Sequence, residues 1–484
     1  MAAIWKLPIE VLAEILCLCE CSEKAIFQTC KAITAVAFST PALWTSIRLG
    51  PRQFTHDGPD FLRARILRTN GAPLYLYVGT ILEQTAEVSA VCGVLRGCNG
   101  QIREFKLTTD TAMLAGGFVH AVFPNPKPFP ALKVLAILSE RESTGNPSDA
   151  VWPQLDLVLA DANTMFPNLR KLHINSYHDT VPILPLSASF SNLSRLILNG
   201  SLEIDIPSAG LLAALLHCMP QLESLWVKHY YWQNYDTISP PITQSVVKGR
   251  SNISPDIQLP KLKHLAVSIP GPACDLMGCI TAPALEDLHL DGSRELRDQD
   301  EEWYEWTGGE KKSVYDALKL LASRCQNVRR FAVTDAYLAR TTWEWIMCGE
   351  DGRQPPFPEL KHITLHRVVG TLCTHWGFNS RLLKTIASKP MIPLKRLTLV
   401  DCDFPLHVSA VVEAFRASGT TELKYNGGTP QGMVGQWRDL EALGELEELG
   451  VSVTYGGESE WLDSFEREWW TYGHEIDVMD SEIY

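Results

Sequence analysis

Apolar residues recur along most of this chain in a six-residue pattern, L-x-x-L-x-L, whose second half alternates apolar and polar positions as a strand with one buried face does. It occupies residues 102–107, 132–137, 169–174, 193–198, 222–227, 262–267, 285–290, 328–333, 360–365, 394–399 and 446–451, and residues 73–78 alternate in the same way. Several copies share an apolar-proline lead-in: Phe166-Pro167, Met219-Pro220, Leu259-Pro260, Ala282-Pro283 and Phe357-Pro358. Between them, residues 208–217, 313–322, 380–387 and 407–417 carry caps and helical periodicity. Strand followed by helix, repeated, predicts an α/β solenoid with parallel strands on a concave face and helices on a convex one. Each repeat buries its apolar face only by stacking on its neighbours.

Successive strand side chains point to opposite faces, so the residues between the apolar positions should face outward. These include Lys171, His173 and Asn175, then Arg195 and Asn199, Trp226 and Lys228, His264, and Asp287, His289 and Asp291. Further on come Arg330 and Thr334, His362, Thr364 and His366, and Arg396. His173, Asn175, Asn199, Trp226, Lys228, His289, Asp291, His362 and His366 form the candidate target-binding set, because aromatic and charged groups anchor macromolecular interfaces. Insertions at 229–258, 292–312 and 341–356 carry aromatics such as Tyr230, Trp232, Trp303, Trp343 and Trp345. They are read as binding loops or as caps folded over the array.

Ahead of the repeats, Pro8 suits a first helical turn, and Leu12, Ile15, Leu16 and Cys19 follow as one apolar stripe. A second helix opens at Ser22, with Ile26, Cys30, Ile33 and Ala37 on one face, and Thr40-Pro41 starts a third, short one carrying Leu43 and Trp44. Three short helices cannot bury this much apolar surface among themselves. A partner or the next domain must cover part of it. Residues 49–72 form a connector with a helix over 59–68, in which Phe61, Ile66 and Leu67 pack while Arg63, Arg65 and Arg68 stay wet.

The order Leu7-Pro8-x-Glu10-x-Leu12-x-x-Ile15-Leu16, Cys30-Lys31, Val36-Ala37 and Ser39-Thr40-Pro41-x-Leu43-Trp44-x-x-Ile47 resembles an F-box of the type common in mushroom-forming fungi. The strands resemble the irregular leucine-rich repeats of fungal F-box proteins, with the asparagine that closes the repeat signature at Asn175 and Asn199. The resemblance implies a small three-helix F-box over 1–48, a leucine-rich-repeat solenoid over 73–457, and an acidic capping helix and tail over 458–484. It also implies a substrate-recognition subunit of a Skp–cullin–F-box ubiquitin ligase. Leu7, Pro8, Leu12, Ile15 and Leu16 would bind the Skp-type adaptor of the cullin complex, and the repeats would bind an unknown target protein. The alternative is a repeat scaffold whose helical start caps the solenoid, with no ligase link.

Composition narrows the classes. With 484 residues, 45% hydrophobic, and mean hydropathy −0.03, the chain is that of a soluble globular protein. A net charge of −13 and a pI near 5.5 argue against nucleic acid as a partner. No uninterrupted apolar run is long enough to cross a membrane. Thirteen scattered cysteines fit a reduced cytoplasmic or nuclear setting. Cys17, Cys19, Cys21 and Cys30 lack metal-knuckle spacing, and no phosphate loop, dinucleotide fingerprint or nucleophile elbow is present. The expectation is therefore no enzyme, no metal and no cofactor.

Overall fold

The computed structural model describes residues 7–18, 31–81, 85–124, 127–139, 158–159, 161–180, 190–201, 216–229, 257–269, 272–292, 308–334, 338, 340–350, 354–366, 394–400, 420–426 and 452–455. They belong to two compact units, Met1–Leu193 and Ser194–Tyr484. Both are α/β with a solenoid-like repeat architecture, and every described strand pair is parallel.

In the first unit, α1 (Ile9–Leu18) and α2 (Lys31–Phe38) precede a 3₁₀ turn, Pro41–Trp44. The predicted helix start at Ser22 lies outside the described residues. Then come β1 (Ser46–Leu49), α3 (Gly58–Arg68), β2 (Leu74–Ile81), α4 (Ala86–Gly97), β3 (Ile102–Thr109), α5 (Ala112–Val122), β4 (Val134–Ser139), α6 (Ala162–Met165) and β5 (Lys171–Thr180). Thr85 and Thr111 cap α4 and α5, each hydroxyl accepting at 3.3 Å from the N–H three residues on.

The second unit contains β6 (Arg195–Ser201), β7 (Ser224–His229), β8 (Ile257–Gln258), β9 (His264–Ile269), α7 (Pro272–Cys279), β10 (Ile280–Thr281), β11 (Asp287–Gly292), α8 (Gly308–Ala322), β12 (Arg330–Thr334), α9 (Arg340–Cys348), β13 (His362–His366), β14 (Arg396–Val400), β15 (Glu422–Asn426) and β16 (Ser452–Tyr455). Strands β8 and β10 pair separately from the main ladder.

The proline lead-in has a specific job. Proline fits the second position of a tight turn because its φ is already set. In each such turn the leucine N–H donates to the carbonyl three residues back: Leu132 to Phe129, Leu169 to Phe166, Leu222 to Met219, Leu262 to Leu259, Leu285 to Ala282 and Leu360 to Phe357, at 3.0–3.1 Å. Neighbouring turns are tied by side chains. Asn168 donates to the Pro130 carbonyl and Asn192 to Pro167, both at 2.8 Å, and Asn327 to Pro283 at 2.7 Å. The strand starts two residues after the turn leucine, so its inner positions fall into columns. Leu76, Phe105, Leu135 and Leu172 are in register in the first unit, and Leu225, Leu265, Leu288, Phe331 and Ile363 in the second, all buried.

The structure departs from or decides the sequence reading at several places. On α3, Leu62 is fully buried while Leu67 is 80% exposed and Phe61 40% exposed, so the helix presents a different stripe from the one its periodicity predicts. In the third insertion, residues 340–348 are a helix with Trp343 and Trp345 buried against Phe331 and Phe357, which agrees with the cap reading and not with that of an exposed binding loop. Strand β15 was not predicted, because Thr420 stands where the turn leucine is expected. The strand over 446–451 lies outside the described residues, as do helices 380–387 and 407–417, most of the insertions at 229–258 and 292–312, and the segment 458–484.

The α3 orientation is testable by chemical denaturation of two variants. Leu62→Ala should cost about 2–5 kcal/mol, as for a fully buried leucine. Leu67→Ala should change stability by no more than about 0.5 kcal/mol, and the opposite ranking would refute the orientation.

Candidate functional site

Two regions hold the residues of interest. The first is the helical start. The backbone N–H of Leu12 donates to the Pro8 carbonyl at 3.1 Å, which places the first turn of α1 directly after Pro8. Leu16 packs with Ile33 and Leu43 on a small core of Ala37 and Trp44, and Leu12 is half-buried. The Trp44 indole N–H donates to the Ala37 carbonyl at 2.9 Å, locking the ring. Arg68 of α3 sits 4.8 Å from the Trp44 ring and 4.9 Å from that of Phe38.

Several apolar residues of the helical start are exposed. Leu7 is 37% exposed, Ile9 53%, Val11 38% and Ile15 40%, and Pro8 is exposed beside them. Of the predicted adaptor-binding residues, Leu7, Pro8 and Ile15 are exposed, Leu12 is half-buried and Leu16 packs on the internal core. Sequence reasoning missed Ile9 and Val11. Their signal was available: they occupy the variable positions between the motif residues, and the positions Val11 and Ile15 are one helical turn apart.

The second region is the sheet face opposite the leucine columns of the second unit. Register places Arg195, Ser224, His264, Asp287, Arg330, His362, Arg396 and Glu422 in one row. Asp287 is its centre. Its carboxylate is bonded by His264 Nδ1 on one side and by Arg330 Nε and Nη2 on the other, the Nη2 bond measuring 2.5 Å. Arg396 Nε donates to Glu422 at 2.7 Å. Burial alone would raise the Asp287 pKa, but hydrogen bonds from His264 and Arg330, with their charge, hold it below the usual carboxylate range.

The parallel rows are as closed. Arg195 stacks 4.5 Å over the Trp226 ring. Lys228 reaches across β9, where Ser268 is small, to Asp291 at 2.8 Å. His289 Nε2 lies 2.8 Å from Thr334 Oγ1. Burial, with Lys228 nearby, depresses the His289 pKa to about 3, so the imidazole stays neutral.

Register puts the candidate target-binding residues on the expected face but does not leave them all solvated. His173, Asn175, Asn199, Trp226, His289 and Asp291 are buried, whereas Lys228 and His362 are half-buried; the His366 side chain is outside the described set. An ionised, doubly held Asp287 and a neutral, buried His289 are poor proton shuttles near neutral pH. They suit a fixed polar framework instead. No group of His, Cys, Asp and Glu among the described residues is arranged to hold a metal ion. No helix among the described residues is long and apolar enough to cross a membrane.

No protein family model matches the chain, and no curated protein matches it. A crystal structure of a Bacteroides fragilis protein is similar over 74% of this chain and 74% of that one, at 13% identity and a TM-score of 0.37.

The sheet-face network predicts an acid-sensitive fold. His289 is depressed from 6.5 to about 3, so the unfolded chain binds a proton that the folded chain refuses, and its contribution is lost as pH falls from about 6.5 toward 3. Asp287 acts in the same direction at lower pH, its contribution being present above 3.8 and lost as pH falls through the depressed folded value. His289→Gln should flatten the limb between pH 6.5 and 3 in denaturation midpoints. Asp287→Asn should instead destabilise by about 1–3 kcal/mol at neutral pH; an unchanged acid limb in His289→Gln would sink the assignment.

Proposed function

We propose that this chain is the substrate-recognition subunit of a Skp–cullin–F-box ubiquitin ligase. The observation that carries the proposal is the exposure of Leu7, Pro8, Ile9, Val11 and Ile15 at the helical start, beside a small core of Ala37 and Trp44 on which Leu16, Ile33 and Leu43 pack. Apolar side chains grouped in this way favour a partner that removes them from water. The resemblance of residues 1–48 to an F-box supplies the partner, a Skp-type adaptor bound to a cullin.

On this proposal the repeats are leucine-rich repeats and serve as the target receptor, Lys228 and His362 being the most accessible of its candidate contacts. No catalytic residue is required in this chain. Holding a target beside the ubiquitin-charged partner raises its effective concentration, which is enough to speed transfer.

Continuity between the helical start and the sheet favours the alternative, a binding scaffold with no ligase link. The Pro41–Trp44 turn runs directly into β1, which pairs along its whole length with β2. Under that alternative the helices cap the first strands.

Adaptor binding separates the two. Full-length protein should retain a purified Skp-type adaptor and cullin in a pull-down. Leu7→Ala combined with Pro8→Ala, and separately Ile15→Asp, should weaken capture by about tenfold or more with the circular dichroism of the repeats unchanged. Undiminished capture by both variants, or no capture by the wild type, would leave the scaffold alternative standing.

A further inference from the structure

The helices of the first unit bury one side and leave the other open. Because α3 packs against α4 and α4 against α5, their outer sides adjoin. Large apolar side chains stand on that surface. On α3, Phe61 is 40% and Leu67 80% exposed, with exposed Ala64 between them, and on α5 Met113 is 61% exposed. Scattered singly, such residues are ordinary; on adjoining helices they suit a covering surface.

The middle helix, α4, carries only small groups and two charges on that side. Val88, Val91, Cys92 and Leu95 are buried, while Ala90, Gly93 and Gly97 are exposed. A Cβ added at Gly93 would meet nothing within 4 Å. Glycine weakens a helix interior relative to alanine, and alanine would fit here, so packing among the described residues does not call for glycine. A close approach from outside would. The two charges lie at opposite ends, Glu87 in the first turn and Arg96 in the last, each of the sign the helix dipole favours there. Arg96 Nε has no hydrogen-bond acceptor among the described residues.

We propose that this face joins a second copy of the chain, α4 crossing its counterpart antiparallel about a twofold axis. Its spacing is self-complementary. An axis midway between Ala90 and Gly93 sets Ala90 of each copy against Gly93 of the other and Glu87 against Arg96. Two opposite-charge pairs then close the contact, and the helix dipoles oppose. Small residues at the crossing let the helices approach closely, and larger side chains toward the ends fill the space where crossing helices diverge. On α3 the same symmetry recurs, Phe61 and Leu67 lying three residues either side of Ala64. An unrelated partner would have no cause to match a face whose charges and small residues read alike in both directions. The dimer goes beyond the ligase reading and does not rest on it.

Sedimentation velocity of the full chain over a concentration series provides the test. Wild type should dimerise reversibly. Gly93→Leu should abolish the dimer while thermal melting by circular dichroism stays at or above that of wild type, because the added side chain has room in the monomer. Glu87→Arg and Arg96→Glu should each weaken dimerisation about tenfold, since both charge pairs become repulsive, and an equal mixture of the two variants should recover it. If either charge variant melts early, Gly93→Leu decides, a lost dimer supporting the proposal and a retained one overturning it. A wild type that stays monomeric throughout, leaving the face to another protein, would overturn it, as would no recovery on mixing the folded charge variants.

Discussion

Everything in both units depends on the phase of the strands. Parallel neighbours bury their side chains together only if each strand begins at the same point relative to the last, because a one-residue slip would exchange the apolar and polar faces. The tight turn with proline at its second position sets that point, and the leucine that closes the turn is itself a core residue. Backbone, turn and core thus select the same register. Asparagine side chains reaching back to the preceding turn's proline carbonyl add a tie that lies outside the sheet itself.

With the phase fixed, the polar face becomes a set of rows, and its electrostatics follow from which residues share a row. Asp287 meets His264 and Arg330 because all three hold the same motif position on consecutive strands. Trp226 and Ala266 likewise sit in the row of His289, and the small residues between the large ones let the long side chains of Arg195 and Lys228 lie across their neighbours. The result is a face whose charges are satisfied within the sheet. The exposed apolar residues of the helical start are different in kind, since they stand next to water.

Much of this was legible in the sequence. The L-x-x-L-x-L pattern, with the alternation at 73–78, located β2 to β7, β9 and β11 to β14 and assigned their inner and outer positions, because a period of two and a recurrent turn are local signals, whereas β1 and the short β8 and β10 carry no such motif. What escaped depended on contacts made across the fold. The turn of α3 that buries Leu62 and exposes Leu67 is decided by where Arg65 reaches the Ser46 carbonyl and Arg68 covers Trp44, neither of which periodicity encodes. Trp343, Ile346 and Met347 stand at helical spacing, yet an aromatic-rich insertion between strands read equally as a binding loop or a cap, and only contact with Phe331 and Phe357 decides for the cap. Burial of Asp291 and His289 was not legible either, since outward on a strand need not mean wet. Leu12, Ile15 and Leu16 were read as part of one stripe, although Leu16 packs on the module's own core while Ile15 is exposed.

The turn that sets the phase also frees everything between one strand and the next. Thirty-four residues separate β7 from β9, ten more than separate β3 from β4, and yet Ser224 still aligns with His264 as Glu104 does with Val134. Crossover length is therefore a neutral variable in this architecture. Sequence can be added to or removed from the connections while the alignment of the strands resets at every proline turn, much as a ruled page keeps its lines whatever is written in the margin. Such a chain can change the chemistry of its periphery quickly over evolutionary time while its core remains in step.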